Sequence, residues 1–273
     1  MKDVFYPNSV AVVGVSSDPD NLGRNIMLNL IDFGFDGVVY PVGPRGGTIA
    51  ARRIHTSVLD IPDEVDMAVI LVPARFVPQV LRECGQKGVR RAVIETAGFR
   101  EYSEQGRALE EEVLLVAEEY GIRFIGPNCI GVINMENGFC VPFPRLTPFI
   151  RPGEVSVVSQ SGGVGLSIMN HMAAEGIGLN KFTSAGNMLN IDAEDLLEYY
   201  IEDEGTKIIF VYLESIRDGR RLMEVAKRSP KPILVMKSNI GQLGQNIAAS
   251  HTASLSSDDR VVDAAFKQCG ITR

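Results

Sequence analysis

The feature that most constrains the fold is a series of short β-branched runs that are apolar on both faces. In the first half of the chain these runs cover residues 9–14, 38–42, 67–72, 91–95 and 123–126. Helical periodicity fills the intervals at residues 21–33, 76–87 and 104–120. Strands without a polar face are typical of parallel sheets covered by helices on both sides. The first half therefore predicts a doubly wound, Rossmann-like α/β domain.

The same alternation begins again after a proline-rich break. Residues 138–152 hold four prolines without periodicity, which predicts a linker between a domain at 1–137 and a domain at 153–273. Strands are expected at 155–159, 182–185, 208–213 and 232–237. Helices are expected at 163–175, at 193–201 with Asp192 as N-cap, and at 219–227. This second domain is predicted to be flavodoxin-like, with a long loop at 238–257 before a terminal helix.

Charge and composition argue against several classes of function. The net charge of −7 disfavours nucleic acid as a partner, because such binding needs concentrated Lys and Arg. No stretch has the length and apolarity of a membrane span, and the N-terminal residues lack the apolar core of a signal peptide. We therefore expect a cytoplasmic protein. Four scattered cysteines predict buried, reduced thiols, with no disulfide framework and no metal site.

The first strand–helix turn is a candidate phosphate site. Gly14 and Gly23 lie at its two ends, although without the tight GxGxxG spacing, and Arg24 adds a cation. Glycines let backbone N–H groups approach a pyrophosphate, and a helix N-terminus favours negative charge. A purely structural turn is an equal alternative. Arg45 follows the second strand where an acidic residue would bind an adenosine ribose, and this favours NADP or coenzyme A over NAD.

Another turn, Gly126-Pro127-Asn128-Cys129, follows a strand at the sheet edge where ligands collect in such folds. Cys129 has the chemistry of a nucleophile. No neighbouring base is evident in the sequence, so we interpret it as a structural thiol.

The second half contains a candidate anion site. The turn lies directly between a strand and a helix and consists of Ser159, Gln160, Ser161 and Gly162. Hydroxyls, free backbone N–H groups and a helix N-terminus together favour an anion. The alternative is a capped helix start without a ligand.

His251 lies in the predicted loop. A solvated loop histidine is one interpretation, but a neutral imidazole on a movable segment also suits a transient phosphoryl carrier. Glu214 ends the strand at 208–213, where it would accept a hydrogen bond from one ring nitrogen of His251 and present the other. The alternative for Glu214 is an exposed acid at a strand end. His55 and His171 have no comparable neighbours in the sequence and are interpreted as incidental.

Taken in order, the motifs resemble a known family. They are Val13-Gly-Val-Ser-Ser17, Leu71-Val72-Pro73-Ala74, Thr96-Ala97-Gly98-Phe99, Gly126-Pro127-Asn128-Cys129-Ile130-Gly131-Val132, Ser159-Gln160-Ser161-Gly162, Leu213-Glu214 and Ser250-His251-Thr252. The set resembles the α subunit of succinyl-CoA synthetase and, more closely, the ADP-forming acetyl-CoA synthetases. The resemblance covers nearly the whole chain.

The resemblance implies a reversible phosphoryl relay. Acyl-CoA and phosphate would give acyl phosphate and free CoA, His251 would carry the phosphoryl group with Glu214 in support, and ADP would accept it. The turn at 159–162 would hold phosphate. Contacts to coenzyme A are expected at Gly14, Ser16, Arg24, Arg45, Val72, Pro73, Thr96, Ala97, Gly98 and Asn128. Arg45 stands where relatives typically carry lysine, which keeps the charge and changes the geometry.

Three departures from the family are visible. Relatives usually have glycine at the second position after the histidine, where this chain has Ala253, and the freedom of glycine is lost there. Residues 186–190 lack the acidic residues common in relatives, so the identity of the acyl group stays open. The choice between ADP and GDP as acceptor is open as well. An ATP-grasp domain is not recognised in this chain.

The missing nucleotide domain predicts a partner. We expect an ATP-grasp β subunit or fused domain that binds ADP or ATP with Mg²⁺, an oligomer, and a small carboxylic acid or its acyl-CoA as substrate. The chain would then be a subunit or a fragment of a larger fused synthetase. One alternative is a CoA-binding regulatory module without turnover, of the kind fused to acetyltransferases. An NADP-binding oxidoreductase domain is disfavoured, since no residues for hydride chemistry lie beside the first turn.

Overall fold

The computed structural model describes residues 1–146, 150–238 and 259–273. The chain divides into two compact units. The first comprises Met1–Pro148 and Gly186–Ile191, and the second comprises Phe149–Ala185 and Asp192–Arg273. Both units are α/β structures with parallel strands, which confirms the predicted fold class.

The sheet of the first unit has five parallel strands. They are β1 (Ser9–Val13), β2 (Val38–Val42), β5 (Met67–Ile70), β6 (Arg91–Ile94) and β7 (Arg123–Ile125), and their spatial order is β2-β1-β5-β6-β7. Two short antiparallel pairs are β3 (Thr48–Ile49) with β4 (Arg52–Arg53), and β8 (Val132–Asn134) with β9 (Phe139–Cys140). The direction of winding reverses between β1 and β5, and ligands bind at such a switch point in open α/β sheets.

The described residues of the first unit form four α-helices. They are α1 (Lys2–Phe5), α2 (Leu22–Asp32), α3 (Val77–Lys87) and α4 (Glu104–Tyr120). Asn21 and Ser103 cap the N-termini of α2 and α4 with their side chains, and Gly88 and Gly121 end α3 and α4 in the left-handed conformation. One face of the sheet packs with α3 and α4 into a buried apolar core that includes Ala11, Ile70, Ile94, Leu81 and Val113.

The second unit repeats this winding. Its parallel strands are β10 (Pro152–Ser159), β11 (Leu179–Ser184), β12 (Ile208–Leu213) and β13 (Ile233–Lys237), in the order β13-β12-β10-β11. Its helices are α5 (Gly162–Ala174), α6 (Ala193–Glu202), α7 (Gly219–Lys227) and α8 (Asp259–Gln268). Asp192 caps α6 as predicted, since its Oδ1 accepts the Asp195 N–H at 2.8 Å. The switch point of this unit lies between β10 and β12.

Several elements differ from the sequence prediction: α1, β8 and β9 were not predicted, β10 begins at Pro152 rather than at residue 155, and two further differences have physical reasons. Strand β11 begins at Leu179 rather than at residue 182, because Asn180 and Lys181 interrupt the apolar run that the prediction used. Both are nevertheless buried, and Lys181 forms an ion pair of 2.9 Å with Asp203. The β3–β4 hairpin was missed, because two-residue strands carry no measurable periodicity. The predicted loop at 238–257 lies outside the described residues except for Ser238.

All four cysteines are buried, in line with the sequence prediction, and they are free thiols. Among the helices of the described ranges, none combines the length and the apolarity needed to cross a bilayer.

Candidate functional site

The switch point of the first unit is built on a close approach between two strand ends. Gly14 follows β1 with a φ of +107°, and a Cβ there would lie 2.0 Å from the carbonyl oxygen of Leu71, which follows β5. Only glycine fits this position, since the backbone conformation and the neighbouring carbonyl both exclude a side chain. The Gly14 and Val15 N–H groups both donate to the Val42 carbonyl at 2.9 Å, so the turn is anchored to β2 as well.

Asn21 holds the turn after β1 in place. Its Oδ1 accepts the N–H groups of Ser16 at 3.0 Å and Arg24 at 2.8 Å, and its Nδ2 donates to the Gly14 carbonyl at 3.0 Å. One amide side chain therefore fixes both ends of the turn and caps α2. Asn21 had no predicted role, although an Asn directly before a helix is a recognisable capping signal.

A cavity of about 360 Å³ opens at this switch point. Its lining residues are Asp20, Asn21, Leu22, Gly23, Leu71, Val72, Pro73, Thr96 and Ala97. Four residues predicted from the sequence, at the ends of β5 and β6, thus meet the N-terminus of α2 at one edge of the sheet. This is the arrangement of backbone N–H groups and positive helix dipole that favours a phosphate-bearing ligand.

Thr96 joins the ends of the two strands that line the cavity. Its hydroxyl donates to the Val72 carbonyl at 2.8 Å and accepts the Val72 N–H at 3.2 Å, and Thr96 itself is buried. The side chain therefore stabilises the wall of the cavity, and its hydroxyl hydrogen is engaged within the protein.

Glu101 accepts hydrogen bonds from the two backbone N–H groups that follow Ala97, those of Gly98 and Phe99. Its Oε1 accepts the N–H groups of Gly98 at 2.7 Å and Phe99 at 3.0 Å, and its Oε2 accepts the side-chain amide of Asn187 at 2.7 Å. Burial acts to raise the pKa of Glu101, but these hydrogen bonds outweigh it and hold the pKa below its usual value. The Gly98 N–H is thus already bonded, which the sequence could not show.

The other predicted residues of the first unit do not line this cavity. Arg24 is in the first turn of α2, and Arg45 follows β2. Asn128 has a φ of +57° and its Nδ2 donates to Asn187 Oδ1 at 3.2 Å. The Cys129 Sγ donates to the Ile94 carbonyl at 3.3 Å, and burial raises the pKa of this thiol. A buried, neutral thiol agrees with the structural interpretation of Cys129.

A second cavity, of about 540 Å³, lies beside the β3–β4 hairpin. Its lining residues are Gly46, Gly47, Arg53, Ile54, His55, Thr56 and Asp60. His55 was interpreted from the sequence as incidental, and no motif pointed to this cavity.

Glu95, directly after β6, is a buried carboxyl group to which no sequence motif pointed. It is 2% exposed, and neither carboxylate oxygen has a hydrogen-bond partner within the described ranges. A Cβ on Gly131 would lie 2.4 Å from Glu95 Oε1, so the carboxyl group packs directly under that backbone. Burial raises the pKa of Glu95 well above its usual value.

In the second unit, the predicted anion turn begins α5. The Ser161 side chain caps the helix by accepting the Val164 N–H at 3.4 Å, and the Ser159 hydroxyl donates to the Ser161 carbonyl at 2.6 Å. Ser184 lies opposite Ser159 in β11, and its Oγ is fully buried with no partner in the described part of the chain. An unpaired hydroxyl next to a helix N-terminus adds a polar group that the sequence analysis did not identify.

Gln160 links this turn to the end of β12. Its Oε1 accepts the N–H groups of Glu214 at 2.8 Å and Ser215 at 3.0 Å, and its Nε2 donates to Ser215 Oγ at 3.0 Å. Gln160 and Glu214 are therefore brought together across the switch point of the second unit. The predicted partner of Glu214, His251, lies outside the described residues, so that pairing stays a prediction.

Lys237, the last residue of β13, reaches the same strand end. Its Nζ donates to the carbonyl oxygens of Glu214 at 2.8 Å and Ser238 at 2.6 Å. Burial and the positive charge of Arg273 lower the pKa of Lys237, although Asp259 and Glu214 act in the opposite direction.

Comparison with known proteins also divides the chain into two parts. Residues 8–135 match the family described as a CoA binding domain, and residues 152–273 match the one described as a succinyl-CoA ligase like flavodoxin domain. The α subunit of the ADP-forming acetate–CoA ligase I of Pyrococcus furiosus is 46% identical over 279 residues, which cover 100% of this chain and 60% of that protein.

Two further proteins extend the comparison. The ADP-forming 4-hydroxybutyrate–CoA ligase of Nitrosopumilus maritimus is 36% identical over 99% of this chain and 39% of its own length. A solved structure of the dinucleotide forming acetyl-coenzyme A synthetase 1 of Ca. Korarchaeum cryptofilum, in complex with phosphate and ADP, superposes with a TM-score of 0.93 at 38% identity. The match covers 99% of this chain and 58% of that one. The chain thus spans about three fifths, or less, of each of these proteins.

Proposed function

Because this chain belongs to the family of α subunits and α domains of NDP-forming acyl-CoA synthetases, we propose that it binds coenzyme A and carries the phosphoryl group in that reaction. The thioester bond of acyl-CoA breaks as phosphate attacks, which gives acyl phosphate and free CoA. The imidazole of His251 then takes the phosphoryl group and releases the carboxylic acid. Transfer from phosphohistidine to ADP gives ATP and restores the imidazole, and every step is reversible.

The observation that carries the proposal is the cavity at the first switch point. It gathers Val72, Pro73, Thr96 and Ala97, which the sequence motifs assign to coenzyme A, beside the N-terminus of α2. The pyrophosphate of coenzyme A suits the backbone N–H groups and the dipole there. Arg24 and Arg45 supply cations for its phosphates, and Gly14, Ser16, Gly98 and Asn128 complete the proposed contacts.

In the second unit we assign phosphate to the turn at 159–162. The helix N-terminus of α5 and the unpaired hydroxyl of Ser184 support this assignment. Glu214 orients the imidazole of His251 by accepting a hydrogen bond from its ring. We assign coenzyme A to residues 1–137 and the phosphohistidine to residues 153–273, joined by a linker at 138–152.

We place the nucleotide-binding site on a partner subunit or a fused domain. The Korarchaeum structure contains phosphate and ADP, and this chain matches 58% of that protein. We propose that an ATP-grasp β subunit or fused domain binds ADP or ATP with Mg²⁺, that the assembly is oligomeric and cytoplasmic, and that the substrate is a small carboxylic acid or its acyl-CoA.

Titration calorimetry with the isolated chain tests which coenzyme it binds. We expect coenzyme A to bind and NADP and NAD to give no heat of binding. Asn21→Ala removes the three hydrogen bonds that hold the turn after β1, and we expect it to weaken binding of coenzyme A about tenfold, equivalent to about 1.4 kcal/mol. Asn25→Ala, on the same helix, is the matched control and should leave Kd unchanged. Binding of a nicotinamide dinucleotide in place of coenzyme A would remove the basis of the proposal.

Phosphoryl transfer is tested with the chain assembled with its nucleotide-binding partner and labelled ATP. We expect an acid-labile, base-stable phosphate on this chain, because phosphohistidine has that stability profile. His251→Ala should abolish the label, while His171→Ala, on α5, should keep it. A label that persists in His251→Ala would place the nucleophile on another residue.

A further inference from the structure

Gln160 spans the crevice between β10 and β12, which is the switch point of the second unit. The sequence assigned its side chain to phosphate, but both polar ends of the amide are already bonded within the protein. Oε1 accepts from two successive backbone N–H groups, those of Glu214 and Ser215, and Nε2 donates to Ser215 Oγ. A side chain in this state orients a backbone segment: both lone pairs of Oε1 and one of the two Nε2 hydrogens are engaged within the protein.

Lys237 holds the same segment through a carbonyl oxygen. Its Nζ donates to the Glu214 carbonyl, and Lys237 is only 8% exposed. The peptide that precedes Glu214 is thus fixed through its N–H group. The peptide that follows is fixed through its carbonyl oxygen by Lys237 and through its N–H group by Gln160.

These contacts determine the direction of the Glu214 side chain. Peptide planes are rigid, so anchoring the two planes that meet at a Cα fixes φ and ψ there, and with them the Cα–Cβ direction. The residues that precede this segment belong to β12 and are held by the ladder with β10 and β13. The Gln160 amide and the Lys237 ammonium group therefore set the direction of the Cα–Cβ bond of Glu214.

We propose that Gln160 and Lys237 are positioning residues that aim the Glu214 carboxylate, and that Gln160 acts through Glu214 rather than by contact with phosphate. The inference rests on the proposed function for the role of Glu214 toward His251. It deepens that function by making the phosphate turn and the supporting carboxylate a single hydrogen-bonded unit.

The first test uses the chain alone and needs no phosphoryl transfer. Gln160→Met removes both polar ends at similar length, and we expect the backbone N–H groups of Glu214 and Ser215 to exchange with deuterium faster than in the wild type. Gln160→Glu keeps an acceptor for both groups and should retain their protection. Gln268→Met, exposed on α8, is the control and should change neither. Unchanged exchange in Gln160→Met would overturn the positioning role.

The second test is a double-mutant cycle in the assembly with the nucleotide-binding partner. We expect Gln160→Met and Lys237→Met each to slow phosphorylation of His251 about 10- to 100-fold, because a misplaced catalytic group loses rate of this order. In a Glu214→Gln background each should have an effect of about twofold or less, since the group they position is already gone. The KM for phosphate in the overall reaction should stay within about twofold of the wild type.

Contact with phosphate would give different results in the same cycle. The KM for phosphate would then rise in Gln160→Met, and the full loss of rate would persist in the Glu214→Gln background. Should Gln160→Met fail to fold, Lys237→Met and Ser215→Ala address the same segment through the same measurements, and unchanged exchange and rate in both would overturn the inference. Absence of any label in the wild-type assembly would contradict the proposed function, while the exchange data would still decide the positioning role.

Discussion

Gly14→Ala is expected to lower the free energy of unfolding of the first unit by about 3–5 kcal/mol and to abolish binding of coenzyme A. The added Cβ would lie 2.0 Å from the Leu71 carbonyl oxygen and 2.8 Å from its carbon, at a φ of +107° that L-residues rarely adopt. Both atoms are backbone, so relief requires the ends of β1 and β5 to separate. These two ends form the switch point, and the cavity expected to bind the coenzyme would be distorted with them.

Gly34→Ala is the matched control for this prediction. Gly34 also has a positive φ, +72°, but a Cβ there would meet nothing within 4 Å. Its loss of stability should be limited to the conformational contribution, about 1–2 kcal/mol, and coenzyme A should still bind. Urea denaturation and calorimetry measure the two effects. Equal losses for the two variants would show that the approach to Leu71 contributes nothing and that φ alone explains the glycine.

Many strands, and the turns that follow them, were accessible from the sequence because their signals are local. Residues 38–42, 104–120, 208–213 and 219–227 were predicted with the bounds that the structure shows, since apolar periodicity and nearby caps decide them. The turns at Gly14 and Ser159 follow from the same reasoning. A strand that ends in small and polar residues before a helix places those residues at the ligand-binding edge.

The contacts that arrange these turns were not accessible because they join distant residues. Glu101 is bonded to Asn187, 86 positions away, and Gln160 to Glu214, 54 positions away. A sequence gives the residue type and the turn, but whether an amide faces an anion or a neighbouring backbone depends on which strand folds beside it. Gln160 shows this directly, because the motif predicts a phosphate ligand and the structure directs its side chain to Glu214 and Ser215.

Glu95 provides the second large effect, a dependence of stability on pH. Burial raises the pKa of this carboxyl group well above its usual value near 4.5, so the folded chain binds the proton more tightly than the unfolded chain. The stability it contributes is fully present below the pKa of the unfolded chain and is lost as the pH rises toward the folded pKa. One proton of difference corresponds to a slope of up to about 1.4 kcal/mol per pH unit.

Glu95→Gln should remove this slope, because the amide has nearly the same shape and does not ionise. The thiols near Glu95 are those of Cys129 and Cys140, and burial raises the pKa of both, so they stay neutral through neutral pH. Free energies of unfolding should therefore be measured for both proteins from pH 5 to 8. We expect the stability of Glu95→Gln relative to that of the wild type to increase as the pH rises. Glu118→Gln, exposed on α4, removes a carboxylate without the burial and should run parallel to the wild type. If Glu95→Gln also runs parallel, the carboxyl group ionises freely in the folded chain and must have a partner that stabilises its charge.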